Sequence, residues 1–286
     1  MMKLARMAAM AFLGAATIAW AAGAIPARAA DPGVPILLYH RFHPTVPGST
    51  TVTTPAFEEQ LGWLADHHYK VERLASVVAA LRGGAPLDPM TVAITVDDGR
   101  RSQYTEMFPI VLRYKVPITL FVYTDAISYE PDALTWAEIE EMLKSGLVDV
   151  QSHSCSHPDF DKERARRAQA DYESFVASEL TQSKKTLEER LKRPVEFLAW
   201  PYGIFDRDLE RAAAAAGYSA AFAVENHLAR ADGDLFAIPR LVVSEADRGE
   251  RFENLLGGRG APRVVSKDPL ASCQVHGAAP LVAPQQ

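Results

Sequence analysis

The feature that most constrains this chain is the regular alternation of short apolar runs with helix-like segments. Thr91 to Val96 (TVAITV) is β-branched and carries no charge, the mark of a strand buried on both faces. Pro35 to Tyr39, Ile118 to Tyr123, Leu147 to Gln151, Phe197 to Trp200, Ala220 to Val224 and Ile238 to Val243 read as further strands. Helical signals fall between them. Thr54-Pro55 opens one helix, with Thr as N-cap and a stripe of Phe57, Leu61 and Leu64. Leu74 to Leu81 is a second, stopped by Gly83-Gly84, and a third lies near Tyr104 to Tyr114. Thr135 with Glu138 forms a capping box for a helix ending at Gly146. Residues 163–192 read as one long helix, and Asp206 to Ala216 as a shorter one closed by Gly217. Strand and helix taking turns imply parallel strands with crossover helices. About seven such units suit an α/β barrel better than an open sheet.

Composition narrows the class. The 286 residues are 48% hydrophobic and 23% charged, ordinary globular usage. A net charge of −6 argues against a nucleic-acid partner held by a basic surface. Two cysteines are too few for a disulfide scaffold. No glycine-rich phosphate loop follows any strand, so no nucleotide is expected.

The two ends of the chain read differently from its middle. Lys3 and Arg6 precede an uncharged run from Met7 to Ala24, and Ala27-Arg28-Ala29 offers a cleavage pattern. Residues 1–29 are therefore expected to be a secretory signal peptide, with a retained membrane anchor as the alternative. The protein is then exported, to the periplasm or beyond. Losing Lys3, Arg6 and Arg28 with no acid makes the remainder more acidic. Residues 30–257 form the expected domain, and 258–286 an extended or disordered tail.

Candidate chemistry gathers at strand ends. Asp97-Asp98-Gly99 places two carboxylates where Thr91 to Val96 ends, on the functional face of an α/β barrel. A plain turn is the bland alternative. His153-Ser154-Cys155-Ser156-His157 follows another strand. Two histidines at i and i+4 converge on one metal ion if the stretch turns helically, and are otherwise loop residues. With one Asp they supply His₂Asp and leave a position open for water. Trp200-Pro201-Tyr202-Gly203 can aim a backbone N–H at a substrate oxygen, or is an ordinary turn. His40 ends the first strand in Leu38-Tyr39-His40 and could act as an acid or be a core histidine.

Thr-Val-Asp-Asp-Gly, His-Ser-Cys-Ser-His and the Pro-Tyr-Gly loop, in this order, resemble the polysaccharide deacetylases, carbohydrate esterase family 4. The resemblance spans roughly residues 34–245. It implies a distorted, incomplete (β/α) barrel and removal of acetyl groups from an N-acetylated polysaccharide. By the same resemblance Asp98, His153 and His157 hold one divalent metal ion, zinc first, with nickel or cobalt as alternatives. Asp97 is the base and the Tyr202 N–H, beside Pro201, helps hold the oxyanion.

Two positions depart from the family pattern. Ala199 stands where an Arg often orients the catalytic Asp, and Arg240 is the candidate to supply that charge from another strand. The acid histidine of a C-terminal Leu-x-His motif has no match at His276, whereas Leu38-Tyr39-His40 fits it at the N-terminus. That arrangement resembles a circularly permuted branch, the deacetylases of exported poly-β-1,6-N-acetylglucosamine. It makes His40 the expected acid and that polymer the expected substrate. An association with envelope export machinery fits the same setting. Peptidoglycan, chitin-like oligomers, acetylated xylan or an inactive carbohydrate-binding role are the alternatives. Cys155 is expected to point into the wall, with a Cys155–Cys273 disulfide as a second option, and Tyr123, Trp136, Trp200 and Tyr202 are candidates for sugar stacking or core.

Overall fold

The computed structural model describes residues 33–257. The expected signal peptide, the tail 258–286, Cys273 and His276 lie outside them. In chain order the elements are β1 (Ile36–Tyr39), β2 (Arg41–His43), β3 (Thr51–Thr53), α1 (Thr54–Asp66), β4 (Lys70–Val71), α2 (Leu74–Leu81) and β5 (Thr91–Asp97). A π-helical turn, Gln103–Met107, leads into α3 (Phe108–Tyr114), followed by β6 (Ile118–Val122), α4 (Trp136–Lys144), β7 (Val148–Ser152), α5 (Phe160–Arg166) and α6 (Gln169–Leu191). The last elements are β8 (Phe197–Ala199), a 3₁₀ turn at Pro201–Gly203, α7 (Arg207–Ala215), β9 (Ala220–Phe222), β10 (Leu241–Val242) and α8 (Glu250–Leu256).

Seven strands pair side by side in the order β10-β1-β5-β6-β7-β8-β9, all parallel, and β4 adds to the start of β5. This is the distorted, incomplete (β/α) barrel expected. The segment 238–242 joins its two edges. Ile238 bridges Phe222 of β9, while Leu241 and Val242 pair with Leu37 and Leu38 of β1. The expected strand Ile238–Val243 therefore shortens to Leu241–Val242, because its first half serves the other edge. Every residue of β1 and β5 is buried, as strands covered on both faces require. Leu37, Val92, Ile94 and Val96 face the helical shell with Phe57, Leu61, Ile110 and Val111 in one core.

Local signals explain most boundaries. The capping box is made: Thr135 Oγ accepts from Glu138 N–H, and the Glu138 carboxylate accepts from Thr135 N–H. Asp206 caps α7 through the N–H groups of Asp208 and Leu209. Two expectations are corrected. The N-cap of α1 is Thr53, whose hydroxyl accepts from Ala56 N–H, so Thr54 is already helical. The helix expected over 163–192 is two helices, split where Arg167 turns extended at φ −114°, ψ 152°.

Candidate active site

The C-terminal ends of β1, β5, β7 and β8 and the segment at Arg240 bring the chemistry-bearing residues together. Asp97 is the last residue of β5, buried at 2% exposure. Arg240, fully buried, grips it with both prongs: Nη1 donates to Oδ1 and Nη2 to Oδ2, each at 2.7 Å. The guanidinium is fixed in turn, since Nε donates to Ala223 C=O at 3.1 Å and Nη1 reaches Thr95 Oγ1 at 3.3 Å. It also lies over the Phe121 ring at 5.3 Å. Burial pushes the Asp97 carboxyl up, but Arg240, His153 and His40 outweigh it and hold the group below its ordinary range. A carboxylate has about four acceptor positions. Arg240 fills two and leaves others for the pocket.

Asp98 faces elsewhere. Its backbone is left-handed at φ 76°, and Gly99 continues the turn at φ 64°. A side chain at Gly99 would press on Val122 and Ile127 at 3.1–3.3 Å, so only glycine fits both the angle and the space. The turn swings Asp98 Oδ1 to 3.7 Å from His153 Nε2 and 3.6 Å from His157 Nε2. The two imidazole Nε2 atoms are 3.1 Å apart. His153 Nδ1 lies 2.8 Å from Ala199 C=O. Because a carbonyl only accepts, Nδ1 carries the proton and the Nε2 lone pair faces the cluster. Burial raises the Asp98 carboxyl, yet His40, His157, His153 and Arg100 bring it down to about 2. Burial and the neighbouring His153 lower the His157 imidazole to about 3. At neutral pH the cluster is therefore one anion and two neutral imidazoles, the donor set of a divalent-cation site.

The spacing fits such an ion as well. Four-coordinate zinc with bonds near 2.1 Å sets its ligand atoms roughly 3.3–3.5 Å apart, and the three separations here are 3.1, 3.6 and 3.7 Å. The expectation of a helical turn between the histidines is corrected. Ser154 at φ 68° and His157 at φ 56° are both left-handed, and His157 N–H is caught by Ser154 Oγ at 3.1 Å.

The remaining candidates sit around this centre. His40 follows β1 beside the end of β5, where Tyr39 pairs with Val96, and its carbonyl accepts from the Gln103 amide. The Tyr202 ring packs edge-on to His157 at 4.5 Å from a residue at φ 57°, with Pro201 buried beside it. Tyr123 packs against His157 at 5.4 Å. Trp200 is core, fully buried with Nε1 on Phe236 C=O, and Trp136 lies at the start of α4 beneath Arg190. Burial pushes the half-buried Cys155 thiol up to about 11, which keeps it protonated.

Sequence reasoning missed two residues here. Gln103 is fully buried and its amide donates to the carbonyls of both His40 and Asp97, tying the ends of β1 and β5 together. Arg100 Nε lies 3.6 Å from Asp98 Oδ2. Its place directly after Asp-Asp-Gly was the available signal.

A parallel (β/α) barrel that carries this cluster at the C-terminal ends of its strands has the build of an enzyme. Comparison with known proteins points the same way. The profile of the polysaccharide deacetylase family matches residues 84–221 of the chain, and relatives by sequence are named polysaccharide N-deacetylases. A poly-β-1,6-N-acetyl-D-glucosamine N-deacetylase of Staphylococcus aureus is 26% identical over 210 residues, 72% of this chain and 71% of the relative. Two solved structures share the fold. A Streptococcus pyogenes deacetylase, PplD, in complex with acetate has a TM-score of 0.71 at 23% identity, covering 78% of this chain and 98% of that one. IcaB from Ammonifex degensii has a TM-score of 0.69 at 23% identity, covering 80% and 97%.

Proposed function

We propose that this chain is a metal-dependent hydrolase that removes N-acetyl groups from an exported or cell-envelope polysaccharide, with poly-β-1,6-N-acetylglucosamine as the favoured polymer. The observation that carries the reading is the pairing of a fixed carboxylate, Asp97 on Arg240, with the convergent set Asp98, His153 and His157. Asp98, His153 and His157 would hold one divalent ion, zinc first with nickel or cobalt as alternatives. When bound, such an ion polarises an acetyl carbonyl and acidifies water.

The chain's own groups divide the rest of the work. An amide is a poor electrophile, and its amine leaves only when protonated. Asp97, ionised and immobile, accepts a proton from the attacking water. His40 gives one to the departing sugar nitrogen. The Tyr202 N–H, in a turn at φ 57°, donates to the developing oxyanion. Acetate and a free amine result. The relative's printed activity on the β-1,6 polymer, together with a Leu-x-His motif that ends the first strand, supports that substrate.

Export, by a signal at residues 1–29, and association with an envelope export machinery belong to the same proposal. The experiment is acetate release from a panel of β-1,6 and β-1,4 N-acetylglucosamine oligomers, peptidoglycan and acetylated xylan. Release from the β-1,6 oligomers is expected. Release only from another member of the panel overturns the substrate, and release from none, with the metal site loaded, overturns the activity.

A further inference from the structure

A helix packed on a sheet ordinarily turns an apolar stripe inward. The inward face of α6 is interrupted. Among Tyr172, Val176, Leu180 and Leu187 it also buries Glu179, at 7% exposure, and Ser183, fully. A buried carboxylate is tolerated only where donors satisfy it. Glu179 finds them in the loop between the two cluster histidines. Its Oε2 accepts from Cys155 N–H at 3.0 Å and Ser156 N–H at 2.9 Å, and its Oε1 accepts from the Ser156 hydroxyl at 2.8 Å. One turn further along the helix, Ser183 Oγ meets Ser152 Oγ at 2.7 Å, and Ser152 Oγ accepts from Ser154 N–H at 3.2 Å.

The loop has reason to need this support. Ser154 and His157 both hold left-handed backbone, which residues other than glycine keep only when their surroundings impose it. His153 is anchored separately through Ala199, so the position of His157 depends on the turn at Cys155 and Ser156. That turn is the one Glu179 clamps.

We propose that Glu179 is a positioning residue for the metal-side histidines, holding the Cys155–Ser156 turn so that His157 Nε2 converges on His153 Nε2 and Asp98 Oδ1. This rests on the metal reading above and adds a residue that touches neither ion nor substrate. The same helix supplies Ser183 as a lesser support.

The test is zinc affinity of the purified protein, stripped with a chelator and titrated with Zn²⁺, beside kcat at saturating zinc. Glu179→Ala is expected to weaken zinc binding by about 10–100-fold, the scale for loss of a supporting partner, with most of kcat recovered at high zinc. Glu179→Gln, which keeps one acceptor oxygen and the shape, is expected to fall between Glu179→Ala and wild type. Glu163 on α5 is the control. It is buried to a similar degree, but its carboxylate is taken by Arg166 and Arg167 rather than by the loop. Glu163→Ala is expected to keep wild-type zinc affinity, and an equal loss there would reduce the effect to general destabilisation and overturn the proposal. Should Glu179→Ala not fold, unchanged zinc affinity in Glu179→Gln overturns it too. His153→Ala separates the two layers. If His153→Ala binds zinc like wild type, the metal reading fails. If it loses zinc while both Glu179 variants keep wild-type affinity, only the positioning role fails.

Discussion

Asp97 closes β5 with extended backbone and faces the barrel interior, where a buried guanidinium holds both its oxygens. Asp98, one residue on, is left-handed, partly exposed and faces two imidazoles. A single reversal of the chain, made possible by Gly99, puts two neighbouring carboxylates into two different surroundings. One is a region of fixed hydrogen bonds between strands; the other is a region of converging lone pairs between loops. Arg240 bonds Asp97 through both prongs and Arg100 lies by Asp98, while His153 faces both carboxylates at 3.7 Å. On the function proposed above, identical side chains acquire separate tasks from their environments, one taking a proton and one binding an ion.

The largest way to break this contrast is on the loop side. His153→Ala removes an imidazole anchored on Ala199 and, on the proposed reading, is expected to lose most bound metal and nearly all acetate release. Metal content and turnover are measured together, and full occupancy with normal turnover would remove the metal from the account.

The interior side is expected to fail differently. Arg240→Met leaves the Asp97 charge buried and unpaired, a change that costs roughly 3–5 kcal/mol in comparable ion pairs. Urea unfolding should show that loss, with turnover also falling. Arg240→Met combined with Asp97→Asn removes both charges and should regain much of the stability while staying inactive. A double variant no more stable than Arg240→Met alone would mean that the pair is not what Arg240 is buried for.

A smaller and more selective effect tests His40. An amide needs its amine protonated, whereas an aryl acetate loses a phenolate unaided. His40→Ala should therefore lose amide hydrolysis and largely keep ester hydrolysis. Truncation after residue 257, which removes His276, should leave both. The reverse pattern would put the acid at the C-terminus and weaken the case for the β-1,6 polymer.

The sequence made some of this legible and hid the rest for physical reasons. Thr91 to Val96 announced itself because a β-branched run has few other uses, and Thr135 with Glu138 because the box is a local hydrogen-bond pair. Asp98, His153 and His157 were visible as residue types at strand ends. Arg240 could be named only as a guess, since it reaches Asp97 across 143 positions through the joining of the sheet edges. Strands β2, β3 and β4 are two or three residues long, too short for any periodicity to register. The break at Arg167 has neither glycine nor proline to mark it. α8 starts from Gly249 at φ 51° with no side-chain cap. Glu179 lies unmarked within the run read as one long helix; only packing shows that it points inward.

The contrast between the two aspartates is tested most directly by measuring zinc affinity and kcat for Asp97→Asn and Asp98→Asn side by side. Asp97→Asn keeps the shape and loses the proton acceptor, so it should bind zinc near wild-type strength while kcat falls by roughly 10² or more. Asp98→Asn should lose zinc affinity first, with turnover following occupancy. Equal loss of zinc in both variants, or near-normal kcat in zinc-loaded Asp97→Asn, would contradict the division of labour between them.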